Sequence, residues 1–259
     1  MSKKVRITLL FTSAILFFLS IFLYFWENKD SIEQKRKQAI LEEKAVEIID
    51  GKNNTQGENA EENKVKTLII DWEYLKLINE DIIGWIYIPN TNVNYPLLKG
   101  PDNQFYERKM FDKSNSIFGS IFMDYRNTVI GNEQNTIIYG HNTFNHTMFA
   151  DIPKYTNKSF MDSHPTIFIY TPTKNYEADI FLAYVQDYDD KAYQINVDDI
   201  NIYLKESGSR KNKLEYASKI EDGSINIEKK DRIITLSTCS FIRTYNDPTE
   251  RVIVQAKLR

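Results

Sequence analysis

The chain has 259 residues and a single cysteine, Cys239. A lone thiol has no partner for an intramolecular disulfide. It can pair between molecules, sit buried as a small hydrophobe, or act as a nucleophile. Cys239 ends the run Arg232-Ile233-Ile234-Thr235-Leu236-Ser237-Thr238-Cys239, which reads as a strand. His141 follows a second run of this kind, Thr136-Ile137-Ile138-Tyr139-Gly140, and Arg251 opens a third, Val252-Ile253-Val254-Gln255-Ala256. Strand ends beside loops are where a rigid scaffold tends to hold reactive groups. A thiol near an imidazole makes a nucleophile with an acid–base partner, because the thiolate attacks and the ring handles the proton. An arginine adds fixed donors for a substrate carbonyl or an oxyanion. Taken singly, each residue has an ordinary explanation. The cysteine could be inert core, the histidine could be structural, with His146 and His164 as competitors, and the arginine could be a solvated edge charge. Spacing alone leaves Arg243 beside Arg251 as the donor.

Strands must carry these residues to one place, and the sequence supplies them. Short β-type runs fall at 84–88, 94–98, 120–124, 135–139, 166–171, 176–186, 233–238 and 252–257. Turn chemistry such as Pro89-Asn90-Thr91-Asn92 and Thr171-Pro172-Thr173-Lys174-Asn175 separates several of them. An amphipathic helix is expected over 68–79, ahead of the strands. A second helical stretch is expected near 197–220, with Ile200, Leu204, Leu214 and Ala217 as its apolar positions. Eight short strands with few helices predict a mainly β domain, a closed or nearly closed barrel rather than a βαβ sheet.

The N-terminal part reads differently. Lys3, Lys4 and Arg6 precede residues 7–26, twenty positions without a charge. Such a helix is about 30 Å long, enough to cross a hydrocarbon core. The charge asymmetry predicts a single-pass anchor with its N-terminus in the cytoplasm and the rest outside. A removed signal peptide is the alternative, though it would need a shorter apolar core and a small-residue cleavage site. Residues 31–50 predict a juxtamembrane helix opened by a Ser31–Gln34 capping box, and the polar stretch 51–64 predicts a flexible linker. The expected organisation is a tail (1–6), an anchor (7–26), a stalk and linker (27–65) and a folded domain (66–259). A formal net charge of −3 gives no basis for a nucleic-acid partner. The absence of a cysteine pair suits a cell surface without dedicated oxidation, as in Gram-positive bacteria. The three histidines are not at ligand spacing and no EF-hand loop is present, so neither metal nor cofactor is expected.

Thr235-Leu236-Ser237-Thr238-Cys239 resembles the TLxTC signature of sortases, the membrane-anchored transpeptidases of Gram-positive surfaces. Ile78-Asn79-Glu80-Asp81-Ile82-Ile83-Gly84-Trp85-Ile86 is similar to the INPDIVGWI run of class B sortases. Asn94-Tyr95-Pro96-Leu97-Leu98-Lys99-Gly100 resembles their YPVVQG-type strand. Gly119-Ser120-Ile121-Phe122-Met123-Asp124 and Tyr139-Gly140-His141-Asn142 match further blocks. The resemblance spans about Trp72 to Arg259 and implies an eight-stranded sortase-type β-barrel with an N-terminal helix and a helical insert before the cysteine strand. It makes Cys239 the nucleophile, His141 the general acid/base and Arg251, which precedes the final strand as the family arginine does, the contact to the oxyanion or substrate carbonyl. Asn94 and Leu98 match groove-lining positions, and Ser237 lies in the signature. Leu98 could equally be barrel core, and Asn94 a turn residue. One departure stands out: class B members often carry an acidic residue shortly after the cysteine, and here Ser240-Phe241-Ile242 follows.

The activity so implied is cleavage of a sorting motif after threonine near the C-terminus of secreted proteins, through a thioester, with transfer to an amine of a peptidoglycan precursor or a pilin. The competing classes are a non-catalytic surface-anchored binding domain with a buried thiol, and a cysteine hydrolase of surface peptides.

Overall fold

The computed structural model describes residues 3–50, 66–187, 191–197, 216–220, 223–239 and 250–259. Helix α1 (Lys3–Ala45) is continuous over 43 residues, a rod of about 65 Å at the α-helical rise. Its described side chains from Leu10 to Leu23 are exposed. Among the described residues no helix is long and apolar enough to cross a membrane, and several side chains within 7–26 lie outside that set. Further along α1, Ser31, Gln34, Leu41 and Ala45 are buried at the spacing of one helical stripe, and this stripe lies on the β domain.

The helix expected over 31–50 stops at Ala45. Val46–Asp50 leaves it as strand β1, antiparallel to β2 (Lys66–Ile70). Val46 and Ile48 stand opposite Ile70 and Leu68 in this ladder. Apolar, strand-favouring residues with a cross-strand partner override the helical pattern that precedes them. The same pairing removes 68–70 from the expected amphipathic helix. Helix α2 (Trp72–Ile78) begins only after Asp71, whose carboxylate accepts the Tyr74 N–H at 2.9 Å as an N-cap. The polar linker expected over 51–64 lies outside the described residues.

The remaining elements are β3 (Ile82–Tyr87), β4 (Asn94–Lys99), β5 (Ile121–Met123), β6 (Asn135–Tyr139), α3 (Lys158–Ser163), β7 (Thr166–Tyr170), β8 (Tyr176–Asp187), β9 (Tyr216–Ser218), β10 (Ile233–Cys239) and β11 (Glu250–Leu258). The sheet order is β11-β10-β6-β5-β4-β3-β7-β8-β9, and a β11–β8 ladder closes the first eight into a ring. These eight are the strands expected from the sequence. β4–β5 and β6–β10 pair parallel, and the other ladders are antiparallel. Residues 216–218, expected within a helical insert, instead form β9 beside Leu182–Tyr184 of β8, with Ala217 buried opposite Ala183. The insert's residues 198–215 lie outside the described set.

Strand alternation splits β10 and β11 between two cores. Ile234, Leu236, Val252 and Val254 fill the barrel interior, while Ile233 and Ile253 pack outside with Phe181, Tyr184, Ala192 and Ile227. Burial on both faces explains why these strands read as near-continuous apolar runs. A third cluster, including Leu41, Leu75, Trp85 and Leu98, lies between the barrel wall and helices α1 and α2.

Candidate active site

Two ladders bring the chemically suggestive positions to one end of the barrel. β6 and β10 run parallel with Tyr139 beside Ser237, so their carboxyl ends coincide. The Gly140 N–H extends this ladder to the Ser237 carbonyl at 3.2 Å, and His141 leaves β6 there. β10 and β11 are antiparallel, and Cys239 is the register partner of Arg251. A cavity of about 240 Å³ opens at this end. Its wall includes His141, Arg251, Ser237 and Thr238, with Asn103, Glu107, Phe122, Tyr139, Gly140 and Tyr193.

His141 is held at both its ring and its backbone. Nε2 lies 2.8 Å from the Glu107 carbonyl. A carbonyl only accepts, so Nε2 carries the proton and Nδ1 is left for exchange. Gly119, at φ +58°, lets the Glu107 carbonyl approach: a Cβ there would stand 2.6 Å from that oxygen. The His141 carbonyl accepts the Phe149 N–H at 2.9 Å, and Gly140 makes room for the Phe149 ring, which a Cβ would meet at 2.7 Å.

Behind the cavity lies Asp124, fully buried. It accepts Arg126 Nε at 2.9 Å and Nη2 at 2.8 Å, the Tyr139 hydroxyl at 2.9 Å and Asn103 Nδ2 at 3.0 Å. Burial alone would raise its pKa; these donors, Arg126 foremost, outweigh it and hold the carboxyl below the usual range. Burial, reinforced by the Asp124 charge, pushes the Tyr139 phenol far above its ordinary value, so it stays a donor. Arg126 also donates to the Tyr193 carbonyl at 3.1 Å. The Tyr193 ring stacks on Tyr139 at 6.0 Å, and its hydroxyl meets Ser237 Oγ at 2.9 Å. One network thus joins β6, β10 and the segment after β8.

Arg251 Nη1 donates to the Glu250 carbonyl at 2.9 Å. Gln186 pairs with Arg251 across the β8–β11 ladder and is buried, and neither of its amide atoms has a hydrogen-bond partner among the described residues.

Asn94 and Leu98 do not line the cavity. Asn94 accepts the Trp85 indole N–H at 2.7 Å and donates to Glu42 of α1, while its carbonyl takes Gln38 at 2.9 Å. Leu98 is fully buried beneath α1 and α2. His146 is exposed, and His164 is engaged through Nδ1 with the Phe160 carbonyl at 2.9 Å; neither reaches the cavity. Arg243 lies outside the described residues. Asn103, Glu107, Tyr139 and Tyr193 were not singled out from the sequence as site residues. Tyr139 was within reach, since it immediately precedes Gly140 and His141 at the same strand end.

A sortase-domain family model matches residues 86–259. This chain belongs to the sortase family. Sortase B of Listeria monocytogenes is 35% identical over 255 residues, covering 95% of both chains. The structure of a Staphylococcus aureus sortase B–substrate complex is 34% identical, covers 72% of this chain and 83% of that one, and superposes with a TM-score of 0.62. The structure of sortase B from B. anthracis in complex with AAEK1 is 26% identical, covers 89% of this chain and 98% of that one, and gives a TM-score of 0.67. The protein is a sortase of class B, a cysteine transpeptidase on a closed eight-stranded mixed barrel.

Proposed function

We propose that this sortase cleaves a C-terminal sorting motif of secreted proteins after threonine and joins the new acyl end to an amine of the cell wall. One observation carries the reading: His141 and Arg251 share a cavity, and Arg251 is the ladder partner of the chain's single cysteine. The Cys239 thiolate attacks the threonine carbonyl, forming an S–C bond. The C–N bond then breaks, the departing amine takes a proton from His141, and a thioester remains. An incoming amine gives a proton to His141 and displaces the sulfur. Arg251 supplies donors to the oxygen that becomes negative in each step. With Nε2 donating to the Glu107 carbonyl, the proton traffic runs through Nδ1. Residues 7–26 hold the enzyme as a single-pass membrane protein, N-terminus in the cytoplasm and barrel outside, which concentrates it where substrates and lipid-linked precursors meet.

The test is the full chain in detergent with a panel of sorting-motif peptides and triglycine, read by mass spectrometry. A ligated product that requires both triglycine and Cys239 is expected. Cleavage without ligation at any amine concentration would make the protein a hydrolase, and turnover by Cys239→Ala would end the nucleophile assignment.

A further inference from the structure

The polar stripe of α1 ends on the loop that follows His141. Gln34 is almost fully buried, as are Ser31, Thr143, Asn145 and Thr147. Asn145 Nδ2 donates to Gln34 Oε1 at 2.9 Å and to Ser31 Oγ at 3.0 Å. Gln34 Nε2 lies 3.2 Å from Thr147 Oγ1, and that hydroxyl lies 2.6 Å from Asn145 Oδ1. The network closes on the loop itself, where Thr143 Oγ1 meets the Thr147 carbonyl at 2.7 Å and accepts its N–H at 3.0 Å. Within this loop His146 and Met148 take positive φ angles of 59° and 53°, which side chains other than glycine adopt only when their surroundings hold them there. Beyond Thr147 the chain reaches Phe149, whose N–H fixes the His141 carbonyl.

A helix needs only an apolar stripe to dock on a barrel. Buried amides and hydroxyls each cost free energy unless paired, and a paired network fixes one geometry where an apolar contact would tolerate several. We infer that Gln34 of α1 is a positioning residue for His141: the helix leading from the membrane segment sets the loop that aims the acid–base ring. The inference rests on the role of His141 proposed above. It makes the juxtamembrane helix part of the catalytic apparatus, since a barrel without α1 would hold the same cavity residues around a looser histidine.

The test uses the full chain in detergent with its histidines ¹³C-labelled. The chain has three histidines, so three ring signals are assigned by His→Ala variants. Gln34→Ala is expected to move the His141 signal while leaving that of His164 unchanged. With the best peptide of the panel and triglycine, kcat should fall by about 10- to 10²-fold with KM held within about twofold, the pattern of a misplaced acid–base group. Lys37→Ala is the control. It breaks the partly exposed pair of α1 with Asp112, at 2.7 Å, outside the network, and should leave His141 in place. If Gln34→Ala does not fold, Asn145→Ala severs the same link from the loop side. An unmoved His141 in a folded variant, or equal displacement by Lys37→Ala, overturns the inference. Full turnover by His141→Ala would instead sink the acid–base assignment, while the ring signals still decide whether Gln34 governs this histidine.

Discussion

A carboxylate as deeply buried as Asp124 is stable only because Arg126, Tyr139 and Asn103 donate to it. Its folded pKa lies below the unfolded value. Its contribution is therefore complete above the unfolded carboxyl pKa of about 4 and is lost as pH falls from there through the folded pKa. Asp124→Asn should lower stability by about 2 kcal/mol at neutral pH, the scale of hydrogen bonds to a charged acceptor. The difference from the parent should shrink on acidification below about pH 4. Urea melts across that range check this, and a difference independent of pH would refute it. Strand patterns made some of the cavity wall legible in advance, because His141, Ser237 and Arg251 stand at the ends of readable strands. Asn94 and Leu98 were expected in a groove, yet α1 covers that side of the barrel, and nothing in the local sequence of β4 announces a helix from so far upstream. Asp124 and Arg126 pair within one loop, but Asn103, Tyr139 and Tyr193 reach them only from other segments, which no local pattern announces.

Elements were legible where one segment's own pattern decided them. The eight barrel strands carry alternating or doubly buried apolar runs bounded by turn residues. β1 escaped notice because it continues directly from a Glu-, Lys- and Ala-rich helix, and β9 is three residues whose only signal is their partner on β8. The distal part of α1 was expected to be a stalk. In the structure it is docked, with Leu41 at 1% exposure against Trp85 and Leu98. Leu41→Ala should therefore cost about 3 kcal/mol, as for a buried leucine in a packed core. Amide hydrogen exchange over 31–45 should accelerate with it. A free stalk would show neither change, so an unaffected melt and unaffected exchange would return this segment to the role of a spacer.

On the scale of the whole molecule, closure depends on one strand. β11 pairs with both β10 and β8, and Val252, Ile253, Val254 and Ala256 are fully buried in it. Deleting residues 250–259 should abolish the cooperative melt and the near-ultraviolet dichroism of the buried aromatics; a retained sharp transition would show that the ring does not need its seam. That seam comes after Cys239 in chain order. A polypeptide is made and released from its N-terminus onward, so β6 and β10, whose ladder sets the ends carrying His141 and Cys239 side by side, are both made before β11, and what waits is Arg251, the register partner of Cys239. The thiol thus emerges before the arginine that stands opposite it in the ladder. A chain stalled before residue 250 carries the cysteine strand but neither Arg251 nor the β8–β11 ladder that closes the ring.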